Sequence, residues 1–262
     1  MNLTHGSLFT GYGGFDLAAD WVGWATAFQC EINPYCRRLL QKNFAGQGIE
    51  LVKDIRKFNA TKYNGTVDVI SGGDPCQPHS LQGARKGQAD DRYLWPQYLR
   101  IVNEVQPLWV VNENVRGSIS NGVLDSKISD LEAAGYTCWP SIVIPASSTG
   151  TVHRRERVLL VAHAHERRWR QVNMYTFRNK KVERKISGQY RIPDAPGITY
   201  WDTNCSKLLR EVNGTAEKLA PTERYGSIQA AGNGIVPQLA FGFFQEIDRI
   251  TTNYFNQGYP QG

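Results

Sequence analysis

Over the first 162 residues, short apolar runs alternate with segments of helical spacing, and several of those runs stop at a glycine or an acid. Ser7-Leu8-Phe9 reads as the end of a strand, and after a glycine turn residues 15–21 read as helix. Residues 25–30 read as a strand, and residues 34–43 as a helix with Tyr35, Leu39 and Leu40 at its apolar positions. The rhythm repeats with a strand over 67–71, a helix over 94–105, a strand over 109–112, a helix over 124–134 and a strand over 157–162. Strands separated by helices fold as right-handed crossovers onto a largely parallel sheet. Residues 1–162 are therefore expected to form an α/β domain.

The rhythm stops after Ala162. Residues 163–225 mix Trp169, Tyr175, Phe177, Tyr190, Tyr200 and Trp201 with arginines and lysines, and hold 13 basic against 7 acidic side chains. Residues 1–162 hold 16 against 15, and residues 226–262 hold 1 against 2, so the whole excess of a chain of net charge +6 lies in that one stretch. Localised positive charge suits a polyanionic partner, although a solvated basic surface has the same composition. Residues 226–250 return to helical spacing through Ile235, Leu239, Phe243, Ile247 and Ile250, and are expected to pack back on the first domain. Residues 251–262 read as a polar, frayed tail.

Composition narrows the function classes. At 41% hydrophobic and 21% charged the chain is globular rather than disordered. It has no apolar run of about 18 residues that would span a membrane, and residues 1–14 lack the charged and apolar regions of a signal peptide. Five scattered cysteines without a CxxC pair build neither a disulfide framework nor a zinc site, and they fit a reducing, cytoplasmic setting. His163-Ala164-His165 lacks a third ligand and reads as loop, so no metal is expected.

Four places carry chemistry. Phe9-Thr10-Gly11-Tyr12-Gly13-Gly14 joins a strand to a helix, where glycines let the backbone turn sharply and approach a ligand. Glu31 ends the next strand, where an acid accepts hydrogen bonds from ribose hydroxyls, and Asp54 falls where a third strand should end. The FxGxGG spacing departs from the dinucleotide GxGxxG, which disfavours a nicotinamide oxidoreductase. Gly73-Asp74-Pro75-Cys76-Gln77-Pro78 sets a cysteine between two prolines at the sheet's C-terminal edge, a better nucleophile candidate than a buried thiol. In Asn112-Glu113-Asn114-Val115 an acid closes an apolar strand; partial desolvation there should raise its pKa. The fourth is His153-Arg154-Arg155-Glu156-Arg157-Val158, which leads into a strand, or else forms a salt-bridged surface.

In order and in wording these segments resemble the cytosine-C5 DNA methyltransferase family of bacterial and phage type. FTGYGGFD is similar to the family's S-adenosylmethionine loop, CEINPYC to its ribose-binding strand end, DPCQP to the catalytic loop and ENV to the catalytic glutamate motif. HRRERV is similar to the QxRxR motif, and residues 229–236 to the closing GNxV motif. The resemblance covers roughly 1–162 and 226–250, and residues 163–225 lie where the family keeps its target recognition domain. It implies a Rossmann-like S-adenosylmethionine-dependent fold, with a mixed, mostly parallel sheet bearing helices on both faces and a small recognition domain. It also implies methyl transfer to a cytosine flipped out of duplex DNA.

The residue roles it implies are as follows. Cys76 adds to C6, protonated Glu113 holds N3 and Arg155 contacts O2, with Gln77, Ser80 and Arg157 in support. Phe9, Gly11, Gly13, Gly14, Glu31, Asp54, Pro75 and Asn233 serve the cofactor. Arg178, Lys180, Lys181, Arg184 and Lys185 are candidate DNA contacts, and the protein is expected to act as a monomer. Four residues depart from the family's pattern: Asp74 where a non-acidic residue is commoner, His79 for Phe, His153 for Gln and Gly234 for Ser or Ala. Alternatives are a tRNA cytosine-5 methyltransferase of the same superfamily and a catalytically weak DNA-binding relative. A carboxylate at Asp74 would disfavour a neighbouring thiolate unless it points away.

Overall fold

The computed structural model describes residues 2–75, 93–145, 156–165 and 235–256. In chain order its strands are β1 (Thr4–Leu8), β2 (Ala25–Cys30), β3 (Glu50–Val52), β4 (Val69–Gly72), β5 (Trp109–Val115), β6 (Tyr136–Cys138), β7 (Ile142–Pro145) and β8 (Glu156–Ala164). Its helices are α1 (Gly14–Val22), α2 (Pro34–Asn43), α3 (Trp95–Val105), α4 (Gly117–Ser120), α5 (Val123–Ala133) and α6 (Pro237–Asn256). The strands form one sheet in the order β3-β2-β1-β4-β5-β8-β6, with β7 also paired to β8. The five strands from β3 to β5 are parallel, as the alternation of elements requires.

β8 then runs antiparallel to β5, and β6 and β7 run antiparallel to β8. β6 takes the C-terminal half of β8 and β7 the N-terminal half, so the two short strands together cover one edge. These two were not read from the sequence. β6 is only three residues long, and β7 leaves Ile142 and Val143 exposed, so neither carries a hydrophobic period.

The centre is apolar on both faces, as a sheet covered by helices demands. Leu8, Phe28, Val69, Ile70, Val110 and Val111 have no exposed surface. On one face α3 buries Tyr98, Ile101, Val102 and Val105. α6 packs against α1, where Phe244 stacks on Phe15 at 5.9 Å and on Trp24 at 4.7 Å.

Two expectations need correction here. The helix expected to end at 250 continues to Asn256. Thr251, assigned to a frayed tail, is fully buried and accepts a hydrogen bond from Trp109 Nε1 at 3.0 Å, while Phe255 is 4% exposed. Two buried side chains one turn apart continue the helical period across a stretch whose composition is polar. His163, expected in a loop, lies in β8, which runs two residues past Ala162, and its ring packs against Trp109 at 5.6 Å. The segment 166–234 lies outside the described residues.

One buried acid sits under the glycine turn. Asp16 of α1 accepts hydrogen bonds from Ser7 Oγ at 3.0 Å and Gln29 Nε2 at 3.0 Å. Burial raises its pKa to about 6, against the two hydrogen bonds that lower it. A carboxyl that holds its proton more tightly when folded costs stability as pH rises from the unfolded value toward the folded one. Asp16→Asn removes that cost. Its unfolding free energy should therefore gain on the wild type between pH 4 and pH 7, by about 3 kcal/mol, in urea titrations at each pH.

Candidate active site

The strand order reverses between β1 and β4, since β2 and β3 continue on one side and β5 on the other. In open α/β sheets the crevice at such a reversal, outside the carboxyl ends of the strands, is where ligands bind. Register aligns Leu8 with Cys30 and Gly72, and Gly72 with Asn112, so the turns after β1, β2, β4 and β5 share one edge.

After β1, Phe9 adopts a φ of 50°, which bulky side chains seldom tolerate. The next residues hold it there. Thr10 N donates to Cys30 O at 3.1 Å, and Gly11 N donates to Glu31 Oε2 at 2.7 Å. Gly13 follows with a φ of 94° and caps α1. Glu31 also accepts from Asn33 N at 2.7 Å, so its carboxylate ties the glycine turn to the start of α2. Asn33 caps that helix by accepting from the Tyr35 and Cys36 amides. Tyr12 donates to Ile235 O and thereby fastens the turn to the lead-in of α6.

Asp54 stands just past β3 on the same side. Its carboxylate is gripped by Arg56 through Nε and Nη2, both at 3.0 Å, and that pairing lowers its pKa. Phe9 is half-buried and its ring lies parallel to Tyr98 at 6.4 Å.

The second half of the site lies at the ends of β4 and β5. Glu113 is 7% exposed, and burial raises its carboxyl pKa to about 7 although Arg157 pulls it down. The antiparallel register explains the partner. Glu113 faces Leu159, so Arg157, two residues earlier on β8, points to the same side and lies diagonally across from it. Arg157 Nε and Glu113 Oε1 form an ion pair, and neither atom has another partner among the described residues. Asn114 Nδ2, also buried, has none there either. Buried polar groups without partners are uncommon, and at a crevice they mark where a ligand's polar atoms fit.

Gly73 backs the acid: a Cβ there would come within 2.5 Å of Glu113 Oε2. Asp74 is buried and turned away into an ion pair with Lys127 Nζ at 2.5 Å. Pro75 is exposed at the end of the described stretch.

Cys76, Gln77, Ser80, His79, His153, Arg155, Asn233 and Gly234 lie outside the described residues, as do Arg178, Lys180, Lys181, Arg184 and Lys185. Among the described site residues, Glu113 and Arg157 are brought together at one end of the crevice. Phe9, Gly11, Gly13, Gly14 and Glu31 are assembled at the other. The direct Arg157–Glu113 contact was not foreseen, because the sequence shows three arginines at the start of a strand without showing that the strand is antiparallel. Lys127 was missed altogether, since a lysine at helical spacing reads as solvent-facing.

A profile of C-5 cytosine-specific DNA methylases matches residues 3–250. The chain belongs to that family. It is 32% identical over 162 residues to the type II methyltransferase M.Eco47II of Escherichia coli, across 59% of this chain and 38% of the relative. It is 33% identical over 159 residues to M.FnuDI of Fusobacterium nucleatum, across 59% of this chain and 45% of the relative. Among solved structures it resembles a DNA modification methyltransferase encoded in an E. coli prophage, at 25% identity and a TM-score of 0.52, over 64% of this chain and 48% of that one. The DNMT2 of Spodoptera frugiperda shares the fold at 22% identity and a TM-score of 0.52, over 62% and 50%. The chain spans no more than half the length of each of these four proteins. The mixed, mostly parallel sheet is that of the methyltransferase fold expected from the sequence.

The tight seat of Glu113 is testable by packing alone. Gly73→Ala should lower the denaturation midpoint by the equivalent of about 1–3 kcal/mol, because its Cβ must displace the Glu113 carboxyl or its own backbone. Gly117→Ala, whose Cβ would meet no atom of the described residues within 4 Å beyond its neighbours and its own helix, is the control and should leave the midpoint unchanged or raise it.

Proposed function

We propose that this chain is a DNA (cytosine-5-)-methyltransferase that takes its methyl group from S-adenosylmethionine and acts on a cytosine extruded from duplex DNA. The observation that carries the reading is Glu113, a buried carboxyl with a pKa of about 7, paired with Arg157 at the crevice beside the strand that leads into Cys76. Membership of the family supports the same chemistry.

The residues at the β1 end suit the cofactor. Its chain neighbours aside, a Cβ on Gly11 would find no atom of the described residues nearer than Phe9 O at 4.0 Å, which supports an open space over the turn. Glu31 accepts one hydrogen bond per carboxylate oxygen, from the Gly11 and Asn33 amides, which leaves lone pairs for two ribose hydroxyls. Phe9 and Asp54 flank that opening as the contacts for the adenine ring and its amino group. Gly13 and Gly14 let the turn pack tightly on Phe44 and Ile235, and Pro75 and Asn233 are further cofactor contacts. When bound, S-adenosylmethionine supplies an electrophilic methyl group for cytosine C5.

The protein's own part is as follows. Glu113 in its protonated form donates to N3 of the flipped base and offsets the negative charge that builds on the ring. A pKa near 7 leaves it half protonated at neutral pH, where a solvated carboxyl would be ionised. The Cys76 thiolate adds to C6, with Gln77 and Ser80 shaping its loop, and makes C5 nucleophilic. Arg157 holds Glu113 in place and Arg155 contacts O2. After methylation the C5 proton passes to solvent water, its bonding electrons form the C5–C6 double bond, the Cys76 sulfur departs from C6 with the C–S electrons, and the ring regains aromaticity.

The basic excess of residues 163–225 makes that segment the recognition domain, with the catalytic domain over 1–162. We place the enzyme in the cytoplasm of a bacterial or phage-infected cell, as a monomer without metal. No helix among the described residues is long and apolar enough to cross a membrane.

Expression in a host that lacks cytosine methylation, followed by bisulfite sequencing of its plasmid, should reveal a methylated site. A duplex carrying 5-fluorocytosine at that site should form a covalent adduct in the presence of S-adenosylmethionine, and Cys76→Ser should abolish it. An adduct that survives in Cys76→Ser refutes the assignment, as does a plasmid without 5-methylcytosine. Neutralising Arg178, Lys180, Lys181, Arg184 and Lys185 should weaken binding to that duplex and reduce the slope of log K against log salt by about 0.9 for each phosphate no longer neutralised. An unchanged slope removes these residues from the interface.

A further inference from the structure

The Asp74–Lys127 pair is unusual in three respects. Its side chains are 2% and 1% exposed, so both charges are withdrawn from water. Asp74 Oδ1 accepts from Lys127 Nζ at 2.5 Å and from Asn112 Nδ2 at 2.9 Å, while Lys127 Nζ also donates to Asn112 Oδ1 at 3.0 Å. The ammonium lies 4.8 Å from the centre of the Trp95 ring, whose Nε1 donates to Asp130 at 2.8 Å. Asn112 Nδ2 reaches Gly72 O as well, at 3.2 Å, so one closed network joins the end of β4, the end of β5, α3 and α5. A buried ion pair is weak evidence for stability, because desolvation offsets its attraction. Its place suggests another use. Asp74 follows Gly73, whose Cα abuts Glu113, and precedes Pro75-Cys76.

We infer that Lys127 is a positioning residue of the active site: it holds Asp74 at the root of the cysteine loop and cancels a negative charge that would otherwise act on Glu113. The inference rests on the reading of Glu113 as the acid of the methyl transfer. Among the described residues, the charged groups that act on Glu113 are Arg157 from β8, Asp74 from the turn after β4 and Lys127 from α5, with Tyr12 beyond Arg157. Of these, Asp74 raises the Glu113 pKa, and Arg157 and Lys127 lower it. Burial is what raises Glu113, and within the pair the two charges offset each other there, with Asp74 oriented by its partner.

The sign of each substitution follows. Lys127→Met leaves the Asp74 charge uncompensated and should raise the Glu113 midpoint by about one pH unit. Asp74→Asn leaves the Lys127 charge uncompensated and should lower it by a similar amount. The double variant Asp74→Asn/Lys127→Met removes both charges and should return the midpoint close to the wild-type value. The measurement is a carbon-13 NMR titration of the full chain labelled at the glutamate carboxyl carbon, with Glu113→Gln assigning the signal.

A merely structural pair would change the melting temperature without moving the midpoint, and a midpoint unmoved in Asp74→Asn overturns the inference. If Lys127→Met does not fold, Asp74→Asn and the double variant carry the test. Methyl transfer to plasmid DNA is read separately. Wild-type protein that transfers no methyl while the midpoints move as stated sinks the functional reading alone. Midpoints that stay put in an active enzyme sink the role of Lys127 alone.

Discussion

β5 has neighbours that run in opposite senses, parallel β4 on one side and antiparallel β8 on the other. The parallel neighbour brings its C-terminal turn, Gly73 and Asp74, to the end of β5. The antiparallel neighbour brings its N-terminal end, and with it Arg157. Glu113 is therefore flanked by the outgoing end of one strand and the incoming end of another, which an all-parallel sheet could not arrange at one edge. Arg157 from β8 and Gly73 from the turn after β4 both reach it through this pairing. Change the direction of β8 and the acid loses its arginine.

Electrostatics at this edge is a matter of burial set against compensation. Glu113 is raised by desolvation and restrained by a cation close enough to touch. Arg157 shows the mirror image, lowered by its own desolvation and raised by Glu113. Neither group would hold its charge well alone at that depth. Glu31, at the other end of the crevice, answers to a different arrangement: backbone amides rather than a cation meet its oxygens. The two acids thus share an edge and differ in chemistry. One is kept able to carry a proton, the other serves as an acceptor.

Much of this was legible in the chain. The parallel strands have short apolar runs that end at glycine or an acid, and these mark both the elements and the edge where function gathers. The raised pKa of Glu113 follows from its place at the end of an apolar strand. What escaped the sequence was long-range geometry. The direction of β8 is set by the β6 and β7 pairing that brings it back, and those strands have no period to read. Phe9 at positive φ is imposed by Thr10, Gly11 and Glu31 acting together, against the residue's own preference. Lys127 looks like surface because burying a lysine makes sense only beside an acid 53 residues away. The polar composition after Thr251 concealed a helix whose inward residues are spaced one turn apart.

α6 has a consequence for the order in which the molecule is made. It covers Phe15 and Trp24 on α1 and its margin, receives the indole hydrogen bonds of Trp24 at Asp248 and of Trp109 at Thr251, and lies about 70 residues after β8. A ribosome adding 5–20 residues per second needs roughly 4–14 s to cover that gap. For that interval the sheet exists as a nascent chain with an aromatic face open to solvent, and two buried indoles lack their acceptors. Chaperones recognise such surfaces. The length of that interval is set by the distance between β8 and α6, and lengthening the segment between those elements prolongs the exposure in proportion.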